Sequence, residues 1–190
     1  PQNPKTPLID IYNNKINMVL ELIVPKEFPY ALMGLCANFL LCQLLAPVFV
    51  LKARKEVFTR EHLSQFDGIH KENFPTSNVD GLGNPDQGNG WYGKQLPFEK
   101  WVKLATAQRI VMNYIESFPY LITFTICSCF YFPTYSVIGV WTVLIGRILY
   151  AIGYRSQPKA RIYGAMIMML GNMTMMILSF VSASYMLGAK

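Results

Sequence analysis

The sequence predicts an all-α membrane protein, a four-helix transmembrane bundle, and three observations lead there. Hydrophobic residues make up 52% of the 190 residues, only 15% are charged, and mean hydropathy is +0.25. A soluble globular domain carries about 25% charged residues. The shortage is also uneven, because four long stretches nearly lack charge while a central segment is crowded with it. A hydrocarbon core of about 30 Å needs roughly 20 apolar residues in a helix. Helix is the form that keeps backbone groups paired in lipid.

Taken in order, residues 1–27 form an N-terminal extension and 28–188 a membrane domain, with a polar loop insertion at 60–97. Within the extension, Leu8, Tyr12, Ile16, Val19, Leu20 and Ile23 recur at helical spacing opposite Asn13, Asn14, Asn17 and Glu21. That pattern predicts an amphipathic helix over residues 8–24, at the bilayer interface or docked on another protein. Its polar face is not markedly basic, which keeps partner docking open. The first span runs from Phe28 to Leu51 without a charge, and Lys52-Ala-Arg-Lys55 stops it. Residues 60–97 follow, rich in Gly and Pro, with turn signals at Asn78-Val-Asp-Gly81 and Asn84-Pro-Asp-Gln-Gly-Asn-Gly90. A connection this long points to a lid, a binding loop or a linker.

The second span begins polar near Ala105 and turns strongly apolar from Phe118 to Phe132. Pro133 and Thr134 make an uncharged turn into the third span, Tyr135 to Tyr154. Arg155, Pro158, Lys159 and Arg161 mark the next loop, and Ile162 to Leu187 is the fourth span, rich in Met, Ala, Gly and Ser. The loops after spans one and three hold most of the Lys and Arg, so both face the cytosol or its topological equivalent, and both termini face away. The pI of about 9.2 is therefore read as headgroup-facing charge rather than a nucleic-acid footprint. Cys36, Cys42, Cys127 and Cys129 all lie in apolar runs without a neighbouring His or carboxylate, and are read as small hydrophobes. The Asn172-Met-Thr174 sequon lies within a span and is sterically unusable for glycosylation.

Ionisable side chains inside a span are costly and mark functional candidates. Arg109, Asn113 and Glu116 fall at i, i+4 and i+7 on one face of span two; Arg147, Tyr150 and Tyr154 share a face of span three. The two stripes are expected to turn toward each other, with Arg147 pairing with Glu116. Spacing alone leaves both a binding site and a structural polar clamp open.

These runs also carry a resemblance. Arg109-Ile-Val-Met-Asn113-Tyr-Ile-Glu116-Ser-Phe-Pro119 resembles the second-helix signature of the MAPEG proteins (membrane-associated proteins in eicosanoid and glutathione metabolism). Gly146-Arg-Ile-Leu-Tyr-Ala-Ile-Gly-Tyr154 resembles their third helix, in the form nearest to type 3 microsomal glutathione transferases. Pro25-Lys-Glu-Phe28 and Lys52-Ala-Arg-Lys55 are similar to that type as well.

The resemblance implies a homotrimer in the endoplasmic reticulum or mitochondrial membrane that binds glutathione as cosubstrate between protomers. By position, Arg109, Asn113, Glu116, Tyr150 and Tyr154 would hold its backbone and carboxylates, with Arg54 contributed by a neighbour. Arg161 would be the catalytic residue that stabilises the glutathione thiolate. The activity implied is glutathione transfer to lipophilic electrophiles or reduction of lipid hydroperoxides, with no metal. The chain departs from the pattern at Val111, where the family often has a polar side chain, at Lys55 in place of a second arginine, and in the length of its first loop. Those departures support an alternative: a non-catalytic MAPEG-fold subunit of a larger membrane complex, with other membrane subunits as partners.

Overall fold

The computed structural model describes residues 24–188, and helices are the only regular elements among them. Four helices are long and apolar enough to span a bilayer: α1 (Phe28–Val57), α4 (Phe98–Cys129), α5 (Pro133–Ser156) and α6 (Arg161–Gly188). Two short helices, α2 (Arg60–Ser64) and α3 (Asp67–Asn73), lie between α1 and α4. The amphipathic segment expected at residues 8–24 lies, but for Val24, outside the described residues.

At about 1.5 Å per residue, the shortest of the four long helices is roughly 36 Å, longer than the hydrocarbon core. Their ends therefore project into the headgroup region. One end of the bundle carries Lys52, Lys55, Lys100, Lys103, Arg155 and Arg161; the other is closed by the uncharged α4–α5 turn. Pro133 opens α5 at its first turn, where a missing N–H removes no helical hydrogen bond. Leu40, Ile145, Ile152, Ile177 and Phe180 point outward, as a lipid-facing surface requires, while small and polar residues turn inward.

The interior is built on close approach. A Cβ added to Gly146 would lie 2.7 Å from the Met168 backbone nitrogen, and one added to Gly171 2.8 Å from the Gly139 carbonyl oxygen. Small residues at such positions let α5 and α6 pack backbone to backbone, where dispersion replaces the hydrophobic drive that lipid does not supply. In α1 the helix relaxes to π geometry over Ala46–Leu51, beginning where Pro47 withholds a backbone N–H.

The polar loop insertion expected at 60–97, together with Phe58 and Thr59, forms a compact cap over the charged end. Phe58, Leu63, Phe66, Val79 and Leu96 pack with Leu104 and Ala107 of α4 into a small core. Thr59 caps α2 by accepting from the His62 N–H, and Arg60 grips Asp67 with both ends of its guanidinium, at 3.2 and 2.7 Å. The Gly-rich turn is organised by the buried Asp86 carboxylate, which accepts from the N–H groups of Gly88 (2.6 Å), Gly90 (2.8 Å) and Gly93 (2.6 Å). Gly83 and Gly88 adopt positive φ, and a Cβ on Gly83 would strike the Phe58 ring at 2.6 Å.

Candidate functional site

The buried polar residues converge at two levels. The deeper lies within the membrane between α1, α4 and α5. Arg147, 3% exposed, donates from Nη1 to Asn113 Oδ1 at 2.7 Å and from Nη2 to Ser117 Oγ. Its guanidinium lies 4.5 Å from the centre of the Tyr114 ring. The Ser117 hydroxyl donates to the Tyr114 carbonyl (2.9 Å), and the Tyr114 hydroxyl donates to the Asn38 carbonyl and Oδ1 at 2.8 and 2.9 Å. Asn38 in turn donates to the carbonyls of Gly34 and Val140. This chain ties three helices together and disperses the Arg147 charge over amide, hydroxyl and aromatic groups.

The expected Arg147–Glu116 pair is not formed. Successive helical residues turn by about 100°, so Ser117 lies about 40° from Asn113 on one side and Glu116 about 60° on the other. Arg147 faces the Asn113–Ser117 side, and Glu116 is carried to the outer face, where it meets Arg109 at 3.5 Å. Both members of that pair are about half exposed. The stripe read from spacing is therefore split, with Asn113 in the clamp and Arg109 and Glu116 outside it.

The second level is at the charged end. A cleft of about 550 Å³ lies between α4, the end of α5 and the cap, lined by Arg109, Glu116, Tyr154, Gln108, Trp101 and Asn89. Ligand pockets commonly span about 300–1,000 Å³. Arg161 stands behind Tyr154, donating from Nη1 to its hydroxyl at 3.2 Å, with the guanidinium 5.0 Å from the ring centre. Tyr150 is buried beneath, 5.6 Å from the Tyr154 ring. Tyr154 also lines a neighbouring 440 Å³ cavity between α1 and α4, into which the Glu56–Lys103 ion pair faces.

Of the residues singled out from the sequence, the fold thus gathers Arg109, Glu116, Tyr154 and Arg161 around one cleft. Tyr150 lies under them, and Asn113 belongs to the deeper clamp. Arg54 is drawn elsewhere: it is 7% exposed, and the cap carbonyls of Leu82 and Asp86 accept from its Nε (2.8 Å) and Nη1 (2.6 Å). Asn38, Tyr114 and Ser117 were not anticipated. Asn38 left one usable signal, as one of only two side-chain amides, with Gln43, in an otherwise apolar run. Outside the spans, Asp80 is held below the ordinary carboxylate range by the Leu82 N–H and the Asn84 amide, with Arg54 adding attraction. Among the described residues no three His, Cys, Asp or Glu side chains come together to hold a metal ion.

The fold and its buried polar groups define an integral membrane protein of four spanning helices with a polar cleft at one end. The MAPEG family model matches residues 32–181, and the chain belongs to that family. Comparison with curated proteins and with solved structures yields no match.

Proposed function

We propose that the protein is a membrane-bound glutathione transferase or peroxidase acting on lipophilic electrophiles or lipid hydroperoxides. The observation that carries this is the cleft in which Arg109, Glu116 and Tyr154 face one space with Arg161 directly behind. Glutathione bears two carboxylates, one ammonium and a thiol. Arg109 fits a carboxylate, Glu116 fits the ammonium, and the two are already spaced as a pair. Arg161 polarises the Tyr154 hydroxyl by donating to its oxygen, so the phenolic O–H becomes a stronger donor toward a sulfur anion.

Glutathione supplies the nucleophile, and cationic and hydrogen-bonding groups near a thiol with pKa near 8.5 raise the fraction present as thiolate at neutral pH. No Cys or Ser of the protein need act. Exposed Met112 on the outer face of α4 lets an apolar acceptor reach the cleft from the lipid. A homotrimer in the endoplasmic reticulum or mitochondrial membrane, of the kind closest to type 3 microsomal glutathione transferases, is the form in which we expect it.

Isothermal calorimetry on the purified protein tests this reading. Millimolar glutathione should give saturable heat that Arg109→Ala and Glu116→Gln remove, with Arg161→Ala retaining binding but losing turnover. Absence of heat from the wild type rejects the proposal. The hold of the cap on Arg54 supports a second reading, a non-catalytic subunit of a larger membrane assembly. Migration in a native gel separates the two: co-migration with a large complex favours the subunit, and a lone trimer the enzyme.

A further inference from the structure

The cleft of Arg109, Glu116 and Tyr154 has a wall that the spanning helices do not supply. Gln87 and Asn89 of the cap line it from either side of Gly88, and both are exposed. Other groups fix the loop that carries them. The Asp86 carboxylate accepts the N–H groups of Gly88 and Gly90, and Trp101 Nε1 at the start of α4 donates to the Gly88 carbonyl at 3.1 Å. Gly88 has a φ of 92°, and a Cβ there would lie 3.4 Å from the Leu104 side chain and 3.9 Å from Gln108 Nε2. The loop thus lies against α4, and the amides of Gln87, Asn89 and Gln108 line the same end of the cleft. Arg109 and Glu116, the charged residues among its lining, pair at 3.5 Å farther along the helix.

Those two ends match the two ends of glutathione. Its γ-glutamyl end carries an ammonium and a carboxylate, which the Glu116–Arg109 pair complements in sign. Its glycyl end carries a carboxylate and a peptide bond with no positive charge, and amide side chains can donate to the first and pair with the second. The lengths agree as well. Glu116 follows Gln108 by eight residues, about 12 Å of helix. An extended tripeptide spans roughly 10 Å, slightly more through a γ-linkage. Resting on glutathione as the cosubstrate, we propose that Gln87 and Asn89 are binding residues for its glycyl end, so that the cap makes the site selective for the full tripeptide with a free glycyl carboxylate. The reversed orientation is disfavoured, because the ammonium would then face amides while Glu116 met a carboxylate. The insertion that lengthens the first loop is in this way part of the site rather than only a cover over it.

Calorimetry on the purified full chain tests this, with glutathione, γ-glutamylcysteine and the glycyl monoethyl ester of glutathione as titrants. The wild type should bind the dipeptide and the ester about tenfold or more weakly than glutathione, since a hydrogen bond to a charged group contributes about that factor. The dipeptide's own terminal carboxylate falls one residue, about 3.5 Å, short of the amides. Gln87→Ala combined with Asn89→Ala should weaken glutathione by about tenfold or more and leave the dipeptide unchanged, which levels the three titrants. Asn89→Asp sets a carboxylate against the glycyl one and should weaken glutathione further while sparing the dipeptide. Hydrogen exchange at Gly88 and Gly90 should stay as in the wild type in both variants, because Asp86 and Trp101 hold the loop. Equal wild-type affinity for glutathione and the dipeptide overturns the proposal and leaves the glutathione reading standing. So does a preference for glutathione that survives in the double variant, or an ester bound as tightly as glutathione. Absence of heat from the wild type with all three titrants rejects both.

Discussion

Asp86→Ala asks whether the cap is held as a folded unit by one carboxylate. Its two oxygens accept three backbone N–H groups at 2.6–2.8 Å, all charge-assisted. Hydrogen bonds to a charged group contribute about 1.5–3 kcal/mol each. The lower end applies here, because Gly90 is only half-buried and water can replace its partner. Three such bonds give about 4.5 kcal/mol of resistance to local opening, and at 1.4 kcal/mol per tenfold this is about three decades of hydrogen-exchange protection. Exchange measured in detergent should therefore accelerate by about 10²–10³ at Gly88, Gly90 and Gly93, while α5 and α6 amides stay unchanged. Asp86→Asn keeps one acceptor oxygen and should fall between the two. A change below tenfold in the alanine variant would refute the claim that this carboxylate organises the turn.

Other expectations follow from the same geometry. Tyr154→Phe removes the hydroxyl that Arg161 polarises and should lower glutathione-dependent kcat/KM by about 10–100-fold with little change in glutathione Kd; an unchanged rate excludes that hydroxyl from the chemistry. Asn113→Leu leaves Arg147 Nη1 without its 2.7 Å acceptor inside the membrane and should cost about 1.5–3 kcal/mol in thermal unfolding. Arg147→Met, which removes the charge altogether, should cost less, and the reverse order would show that the charge itself is needed. The depressed Asp80 carboxyl stabilises the cap fully above its unfolded pKa near 3.9, and that contribution drains away as pH falls through the lower folded value. Exchange at Leu82 should thus rise below about pH 4 in the wild type; an Asp80→Asn protein showing the same acid response would assign the effect elsewhere.

The spans and their order were legible because lipid enforces a simple rule. Phe28, Pro133 and Arg161 begin long helices close to where uncharged runs begin in the sequence. The charged stripes were also legible, since periodicity places Arg109, Asn113 and Glu116 near one line. Helical spacing does not state which side of that line meets a neighbour. A rotation of about 60° separates Asn113 in the clamp from Glu116 on the outer face, and the packing of α5 against α4 selects between them. The compactness of the cap was not legible in the polar 60–97 segment because its core is thin, drawn from Phe58, Leu63, Phe66, Val79 and Leu96 scattered among polar residues. Its central contact, a carboxylate gathering glycine N–H groups, has no hydrophobic period to announce it.

By itself, then, the sequence determined the number, order and polarity of the spanning helices, since uncharged runs of about 20 residues can pair their backbone in hydrocarbon within themselves only as helices, and that depends on local composition. The tertiary structure alone decided what each buried charge faces. Arg147 meets Asn113 and Ser117 rather than Glu116, and Arg54 meets cap carbonyls from residues 28 and 32 positions along the chain. Such pairings arise from contacts between segments distant in sequence, and a desolvated guanidinium settles on whichever acceptors the packed helices and cap bring within reach.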